Sequence, residues 1–442
     1  MPTSKIWALE AKMVTQTGYK TSELGIIPQD WDVVELGKVC DIDTENLTSN
    51  TDLDYEFDYI SLEQIDNGHL LNTEKYKFKD APSRARRVVR KNDVLISTVR
   101  PNLMSHYYVK NEVRDLICST GFSVVRGTNK LNMPYLYHHL FANIINSQIN
   151  LVVVGSNYPA INSHDIKNLK IPLPSTPEQT AIATALSDTD ELISSLQTLI
   201  AKKKAIKLSA MQNLLSGKIR LPEFAQRTDG SPKTMRQTEL GLLPEDWEIR
   251  RVGDFTDCTA GGTPSTQVSS YWGGEIPWMS SGELHLKQVY DVVGRITEKG
   301  LENSSTKFVP ANSVLIGLAG QGKTRGTVAI SKIPLCTNQS IAAIFPTDEF
   351  NSTFLFYNLE NRYDELRALS TGDGGRGGLN LTIIRNVLVK FPSLPEQTTI
   401  AQLLSDMDAE IEALECRLKK TQALKQGMMQ ALLTGKIRLP LE

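Results

Sequence analysis

One segment of the chain matches a motif that handles nucleotides. Gly317-Leu-Ala-Gly-Gln-Gly-Lys323-Thr324 has the form G-x-x-x-x-G-K-[ST] and follows the apolar run 313–316. In a nucleotide hydrolase such a loop cradles phosphates with backbone N–H groups, and a helix must begin at the lysine so that its N-terminus faces the anion. Here Arg325, Gly326 and a run of β-branched residues lead to Pro334, which reads as a turn into another strand. No later apolar run ends in an aspartate placed to hold magnesium. The preferred reading is a glycine-rich loop that carries Lys323 and Arg325 towards a nucleic-acid backbone. A P-loop-like nucleotide hydrolase built on 317–324 is the alternative.

Other chemistries lack their residues. Five cysteines without a C-x-x-C pair and six histidines without an H-x-x-x-H pair argue against a disulfide framework or a zinc site. The repeated cysteines, Cys40, Cys118, Cys258 and Cys336, read as small buried residues. No N-P-P-[YF] motif is present to hold a flipped adenine; Asn157-Tyr158-Pro159 lacks the second proline. No acidic–lysine cluster reads as a nuclease metal site. The chain is therefore expected to be non-catalytic and to bind no metal or cofactor of its own.

The informative charges are basic. Arg84, Arg86, Arg87, Arg90 and Lys91 lie within eight residues, and Arg100 and Asn102 follow the next apolar run. Lys323, Arg325 and Arg376 stand beside glycines, which permit close approach to a groove, and arginine is the commonest reader of guanine. On composition alone, a solvated surface cluster is the simpler reading. The whole chain carries 48 basic and 50 acidic residues, a net charge of −2. A lone nucleic-acid binder is usually basic. A role on DNA must then rest on these local clusters or on partner subunits.

These residues are set in a chain that is written twice. Residues 21–31 (T-S-E-L-G-I-I-P-Q-D-W) recur as 237–247 (Q-T-E-L-G-L-L-P-E-D-W). Residues 171–222 recur as 389–440, with 27 of 52 positions identical. Between them, Cys40 and Cys258, Cys118 and Cys336, and Asn162 and Asn380 keep the same offset of 218. A period this long means domain duplication rather than a solenoid. At roughly 100–200 residues per domain, 442 residues allow two to four units. The balance of 40% hydrophobic and 22% charged residues is that of a globular protein. No apolar run approaches the ~18 residues of a membrane span, and residues 1–10 contain no apolar signal core, so a cytoplasmic location is expected.

Each copy has a variable front and a near-constant back. The backs, 178–215 and 396–433, carry apolar residues at heptad positions in one shared frame: Leu186, Ile193, Leu196 and Ile200 in the first, Leu404, Ile411, Leu414 and Leu418 in the second. Proline precedes Glu178 and Glu396, and Gly217 and Gly435 stand just past the far ends, as start and stop signals require. Two helices of ~38 residues, each ~57 Å long, that pair along this seam are expected. The fronts alternate short β-rich runs (93–99, 122–126, 313–317 and 327–330) with one more helical stretch each, 133–148 and 350–368. Residues 223–236 read as an exposed linker and 1–17 as a loose extension.

The order of these motifs resembles the specificity subunit of type I restriction–modification systems. The carriers are E-L-G-x-[IL]-P-x-[DE]-W at 23–31 and 239–247, P-E-Q at 177–179 and 395–397, and G-K-I-R-L-P at 217–222 and 435–440, with Gly261-Gly-Thr263-Pro-Ser265, Ile276-Pro-Trp278 and Thr337-Asn-Gln339-Ser340 in the second front. The first front departs from this pattern, with Asp43-Thr-Glu-Asn46 where the glycines would stand. The resemblance implies an α+β chain of two α/β target-recognition domains (18–172 and 237–391), each followed by a conserved helical spacer (173–222 and 392–442). The two helices would pair as an antiparallel coiled coil with pseudo-two-fold symmetry. It implies that each domain reads one half of a bipartite, asymmetric double-stranded DNA site, and that the helices set the spacing. The implied partners are two modification subunits using S-adenosylmethionine and restriction (motor-nuclease) subunits using ATP and magnesium. Tyr158 and Thr263 join the arginines, Asn102 and Lys323 as candidate DNA contacts.

Overall fold

A computed structural model describes residues 18–66, 68–154, 159–320, 323–370 and 378–440. The extension 1–17, Tyr158 and Arg376 lie outside the described residues. The chain divides into two compact units, one of 1–197 with 416–442 and one of 198–415. These units cut across boundaries drawn from the motifs. Half of each long helix packs into the core of each unit.

In the first unit the runs 93–99 and 122–126 form the strands Val94–Ser97 and Phe122–Gly127, paired antiparallel in a four-stranded sheet with Tyr107–Tyr108 and Cys40–Ile42 at its edges. A second four-stranded sheet runs Glu74–Lys77, Glu56–Ile60, Leu116–Ser119, Ala85–Val89, with one parallel pair at its centre. The second unit repeats the plan. Its five-stranded sheet centres on Val314–Gly317, and its four-stranded sheet contains Trp272–Met279 beside Leu335–Thr337. The central strands are buried throughout, which explains their continuous apolar runs. The helical stretches each break into two helices, Met133–Leu140 with Asn143–Val152, and Ser352–Glu360 with Tyr363–Ala368. Residues 223–236 carry some regular structure. They contain the helical turn Pro222–Ala225 and enter the strand Met235–Thr238, held by the pairs Arg227–Glu245 at 2.7 Å and Lys233–Asp246 at 2.7 Å.

The backs are the helices Thr176–Leu214 and Leu394–Leu432, of 39 residues each. They run antiparallel. In the first unit Thr189 Oγ1 donates to Met428 Sδ at 3.7 Å, and Asp190 pairs with Lys425 at 2.5 Å. In the second unit Lys203 pairs with Glu410 at 2.7 Å, and Lys207 with Asp408 at 2.6 Å. Asp190–Lys425 and Asp408–Lys207 are one contact made twice, once in each unit, with the helices exchanging roles. Leu186, Leu196, Ile200, Leu404 and Ile411 are buried; Ile193, Leu414 and Leu418 are half-buried. Lys203, Lys207 and Lys425, which fall at heptad positions otherwise apolar, are thus partners in ion pairs, and polar breaks of this kind fix register in a coiled coil.

The repeated motifs meet in one buried cluster per unit. Trp247 Nε1 donates to Glu396 Oε2 at 3.0 Å, and Arg220 grips the same carboxylate through Nε at 2.9 Å and Nη2 at 2.5 Å while reaching Asp246 at 2.7 Å. In the first unit Trp31, Glu178, Arg438 and Asp30 make the same set. Each arginine therefore serves the other copy's tryptophan and glutamate. Gly217 and Gly435 adopt φ of 73° and 69°, and a Cβ on either would come within 2.6 Å or 2.4 Å of Pro244 or Pro28. The neighbouring Gln179 and Gln397 accept from the backbone of Asn132 and Asn351, whose side chains cap the helices that follow. The identical residues of the two backs are joints between helix and β-domain.

The first unit also buries three histidines. Desolvation lowers the imidazoles of His106 and His138 to about 4 and that of His139 to about 3, helped at His139 by the neighbouring His138. Unfolded, each would titrate near its ordinary 6.5. The folded unit binds fewer protons than the unfolded one across this interval, so full stability holds above pH 6.5 and drains as pH falls towards 4. The second unit contains only His285, which is exposed. Thermal unfolding at pH 5 against pH 7 should lower the first unit's transition and leave the second's comparatively unmoved; equal shifts would show that these rings do not govern acid sensitivity.

Candidate nucleic-acid interface

In both units the loop leaving the central strand is stitched to a second loop. Ile161 N donates to Thr98 O at 2.9 Å, and Arg100 N to Pro159 O at 2.7 Å; in the second unit Leu379 N donates to Leu318 O at 2.9 Å. The second loop in each case runs into the N-cap of a short helix. Asn162 accepts from His164 and Asp165, and Asn380 from Ile383, which is the local role of the asparagines that recur in the sequence. The strand supplies a rigid base, and the paired loops are what it presents to solvent.

The first loop pair is held in an uncommon backbone state. Arg100 and Met104 have φ of 49° and 52° on either side of the 3-10 turn Pro101–Leu103. Non-glycine residues there cost on the order of 1–3 kcal/mol each and persist only where their surroundings enforce them, often at binding sites. The effect is to set the side chains of Arg100, Asn102 and Leu103 in solvent on a fixed turn. Arg100 and Asn102 therefore stand on one exposed turn.

Within the cluster at 84–91, Arg86, Arg87 and Arg90 have partners inside the fold. Arg87 forms an ion pair with Asp43 at 2.5 Å, its side chain 15% exposed. Arg86 lies over the Phe78 ring at 4.8 Å and donates to Ala85 O. Arg90 pairs with Glu45 at 2.8 Å, beside Arg126, which bridges Glu45 and Asp93. The acids come from the Asp43–Asn46 segment, some forty residues away, so the basic run is neutralised by a strand pairing invisible in the local sequence. Arg84 alone of the four is exposed with no ion pair among the described residues.

The nucleotide-loop alternative finds no support. Gly326 N donates to Gly317 O and Gly317 N to Thr327 O, both at 2.9 Å, closing a hairpin into the strand Val328–Ser331. No helix follows Lys323, so no N-terminus faces an anion. Lys323 is exposed and Arg325 half-buried on this hairpin. Tyr363 donates to Lys323 O at 3.2 Å, and Arg367 lies over the Tyr363 ring at 5.5 Å while donating to its hydroxyl at 2.8 Å. Tyr363 and Arg367 escaped the sequence reading; their spacing of four on a helix was the available signal. Thr263 is exposed, and its hydroxyl donates to Gln339 Oε1 at 2.6 Å.

Burial pushes Cys40 up to about 12 and Cys336 up to about 11, so neither is a thiolate near neutral pH. No group of three or more potential metal ligands occurs among the described residues, and no described helix is long and apolar enough to cross a membrane.

The model of the type I restriction modification DNA specificity domain matches residues 28–205 and 244–422, most of the chain. A type I restriction enzyme specificity subunit of Methanocaldococcus jannaschii, MjaX, is 26% identical over 96% of this chain and 97% of its own length. The HindI specificity subunit of Haemophilus influenzae is 24% identical, covering 82% of this chain and 90% of the relative. Among solved structures, the S subunit of a type I restriction–modification system from M. genitalium superposes with a TM-score of 0.57 at 15% identity, over 91% of this chain and 96% of that one. The HsdS subunit of Thermoanaerobacter tengcongensis gives 0.50 at 24% identity, over 93% and 98%.

Proposed function

Because the chain belongs to the type I restriction–modification DNA specificity family, we propose that each of its two domains reads one half of a bipartite DNA site and that the antiparallel helices set the distance between the halves. Two modification subunits dock on equivalent faces of the repeated backs and bring S-adenosylmethionine. Motor-nuclease subunits, with ATP and magnesium, join for restriction. This chain supplies recognition and no chemical step, in the cytoplasm where the DNA lies. Its net charge of −2 is compatible with that role when the partners share the neutralisation of phosphates.

One observation carries the reading: the joints are made of residues identical in both copies, while the charged and aromatic side chains at the paired loops differ. The joints Trp31–Glu178–Arg438 and Trp247–Glu396–Arg220 are interchangeable parts. The loops carry Arg100 and Asn102 in one domain and Lys323, with Tyr363 and Arg367 beside it, in the other. Constant joints bearing variable loops are what two readers of different half-sites on one frame require.

Mapping methylated adenines in cells that express the chain with its modification subunit tests this. The expected result is a two-part site. Replacing residues 18–172 by the corresponding domain of a relative should change one half and leave the other intact. Alteration of both halves, or methylation without a two-part site, would refute independent reading.

A further inference from the structure

One buried carboxylate in the first domain has more donors than it needs. Asp43 follows the strand Cys40–Ile42 at φ of 59°, its side chain 9% exposed. Its backbone N–H donates to Val124 O at 2.9 Å, which fixes it against the strand Phe122–Gly127. Oδ1 accepts from Val124 N at 2.8 Å and meets Arg87 Nη1 at 2.5 Å, and Oδ2 accepts from the Ser123 hydroxyl at 2.6 Å. Each oxygen thus has a partner without further help, as a buried carboxylate requires. A fourth donor comes from elsewhere: the Ser163 hydroxyl, 120 residues away, also donates to Oδ2. Ser163 opens the short helix Ser163–Asn168. It directly follows the loop that is stitched to the Arg100 turn, through Ile161 N to Thr98 O and Arg100 N to Pro159 O. Asp43 therefore reaches the turn Arg100–Met104 by one continuous path: carboxylate, Ser163, loop 159–162, main chain of 98–100.

We infer that Asp43 is a positioning residue for the first half-site, acting through Ser163 to hold the loop pair that carries Arg100 and Asn102. Arg100 and Met104 sit at positive φ, and such residues keep that state only where their surroundings impose it. The loop 159–162 is part of those surroundings. Two main-chain hydrogen bonds at the surface would open readily if that loop were not itself tied to the sheet. The carboxylate supplies the tie, since a hydrogen bond to a charged acceptor is roughly twice as strong as a neutral one. A turn held in advance spares the ordering cost when DNA is met. The second domain fastens the corresponding helix differently. Gly261 and Leu381 stand at the positions of Asp43 and Ser163, 218 residues on, so neither half of the tie exists there. Its helix Leu381–Arg385 is held from the far end, where Arg385 meets Cys258 O at 3.0 Å and Asp257, a side chain 70% exposed, at 2.8 Å. The tie should therefore matter to one half-site only.

The inference rests on the DNA-reading function proposed above. Its test uses the full chain assembled with its modification subunit, the wild type beside Ser163→Ala and Ser163→Thr. Ser163→Ala leaves Asp43 its three other donors, so the first unit's thermal transition should stay where it is. Amide hydrogen exchange over 98–104 and 159–162 should quicken roughly tenfold in that variant. Selection from DNA randomised in both half-sites should show discrimination in the first half-site falling by a similar factor, with the second unchanged. Ser163→Thr retains the hydroxyl and should restore both readouts. Unaltered exchange and discrimination in Ser163→Ala would overturn the inference and leave the two-part site standing. A lowered thermal transition with discrimination intact would overturn it too, leaving the tie a matter of stability alone. Equal weakening of both half-sites would do the same, because the second domain has no such tie. A wild type without a two-part site would instead refute the reading on which the inference rests, and the inference with it.

Discussion

Arg220→Ala should destabilise the second unit by about 3–5 kcal/mol, the cost typical of removing one partner from a buried ion pair. Glu396 is 1% exposed, and Arg220 meets both of its oxygens, so truncation leaves a desolvated carboxylate with the Trp247 indole as its remaining donor. The same change also frees Asp246 and removes the guanidinium from beside the Trp247 ring, 5.9 Å away. Urea unfolding of the full chain, followed by tryptophan fluorescence, reads the effect. Arg438→Ala is the internal comparison: its side chain is 40% exposed against 8% for Arg220, and water can partly replace it. A smaller loss, in the first unit, is expected there. A loss below about 1 kcal/mol for Arg220→Ala would show that the cluster is not what fastens helix to domain.

Lengthening both long helices by four residues, after Ile200 in the first and after Glu415 in the second, should move methylation to a site whose spacer is longer by one or two base pairs. The two insertion points lie at the same level of the antiparallel pairing, as the pairs Lys207–Asp408 and Asp190–Lys425 indicate. Each insertion adds about 6 Å at 1.5 Å per residue. That is near two base pairs at about 3.4 Å each. Four residues make about one turn, so the apolar seam continues as a stutter. All loop residues are untouched, so both half-site sequences should persist. Methylation of the original spacing should fall at least tenfold, by the estimate that a misplaced half-site forfeits a contact worth about 1–3 kcal/mol for each base misread. Inserting two residues in each helix turns the seam by about 200° and should abolish assembly. Sequencing of methylated sites decides it: activity of the four-residue variant on the original spacing would mean that the helices do not set the distance.

Much of this protein is settled by its sequence alone, and the reason is that the deciding interactions are local or repeated. Heptads, a proline at the start and a glycine at the end place the helices Thr176–Leu214 and Leu394–Leu432 within two or three residues. Continuous apolar runs place the strands Val94–Ser97 and Val314–Gly317, because a strand buried on both faces needs no alternation. The 218-residue offset establishes the duplication, and Gly326 and Pro334 already argue for a hairpin where a nucleotide site would need a helix. Tertiary structure decided whatever depends on partners far along the chain. Asp43 and Glu45 pair with Arg87 and Arg90 across some forty residues, so the partners of that basic run cannot be read from its own segment. Arg220 reaches Glu396 across 176 residues and Arg438 reaches Glu178 across 260, so each copy completes the other; two copies of one motif contain no information about which arginine serves which glutamate. The same holds for Thr263 and Gln339, 76 residues apart. Side-chain pairing between distant segments follows from sheet register and helix orientation, and those are fixed only when the whole core packs.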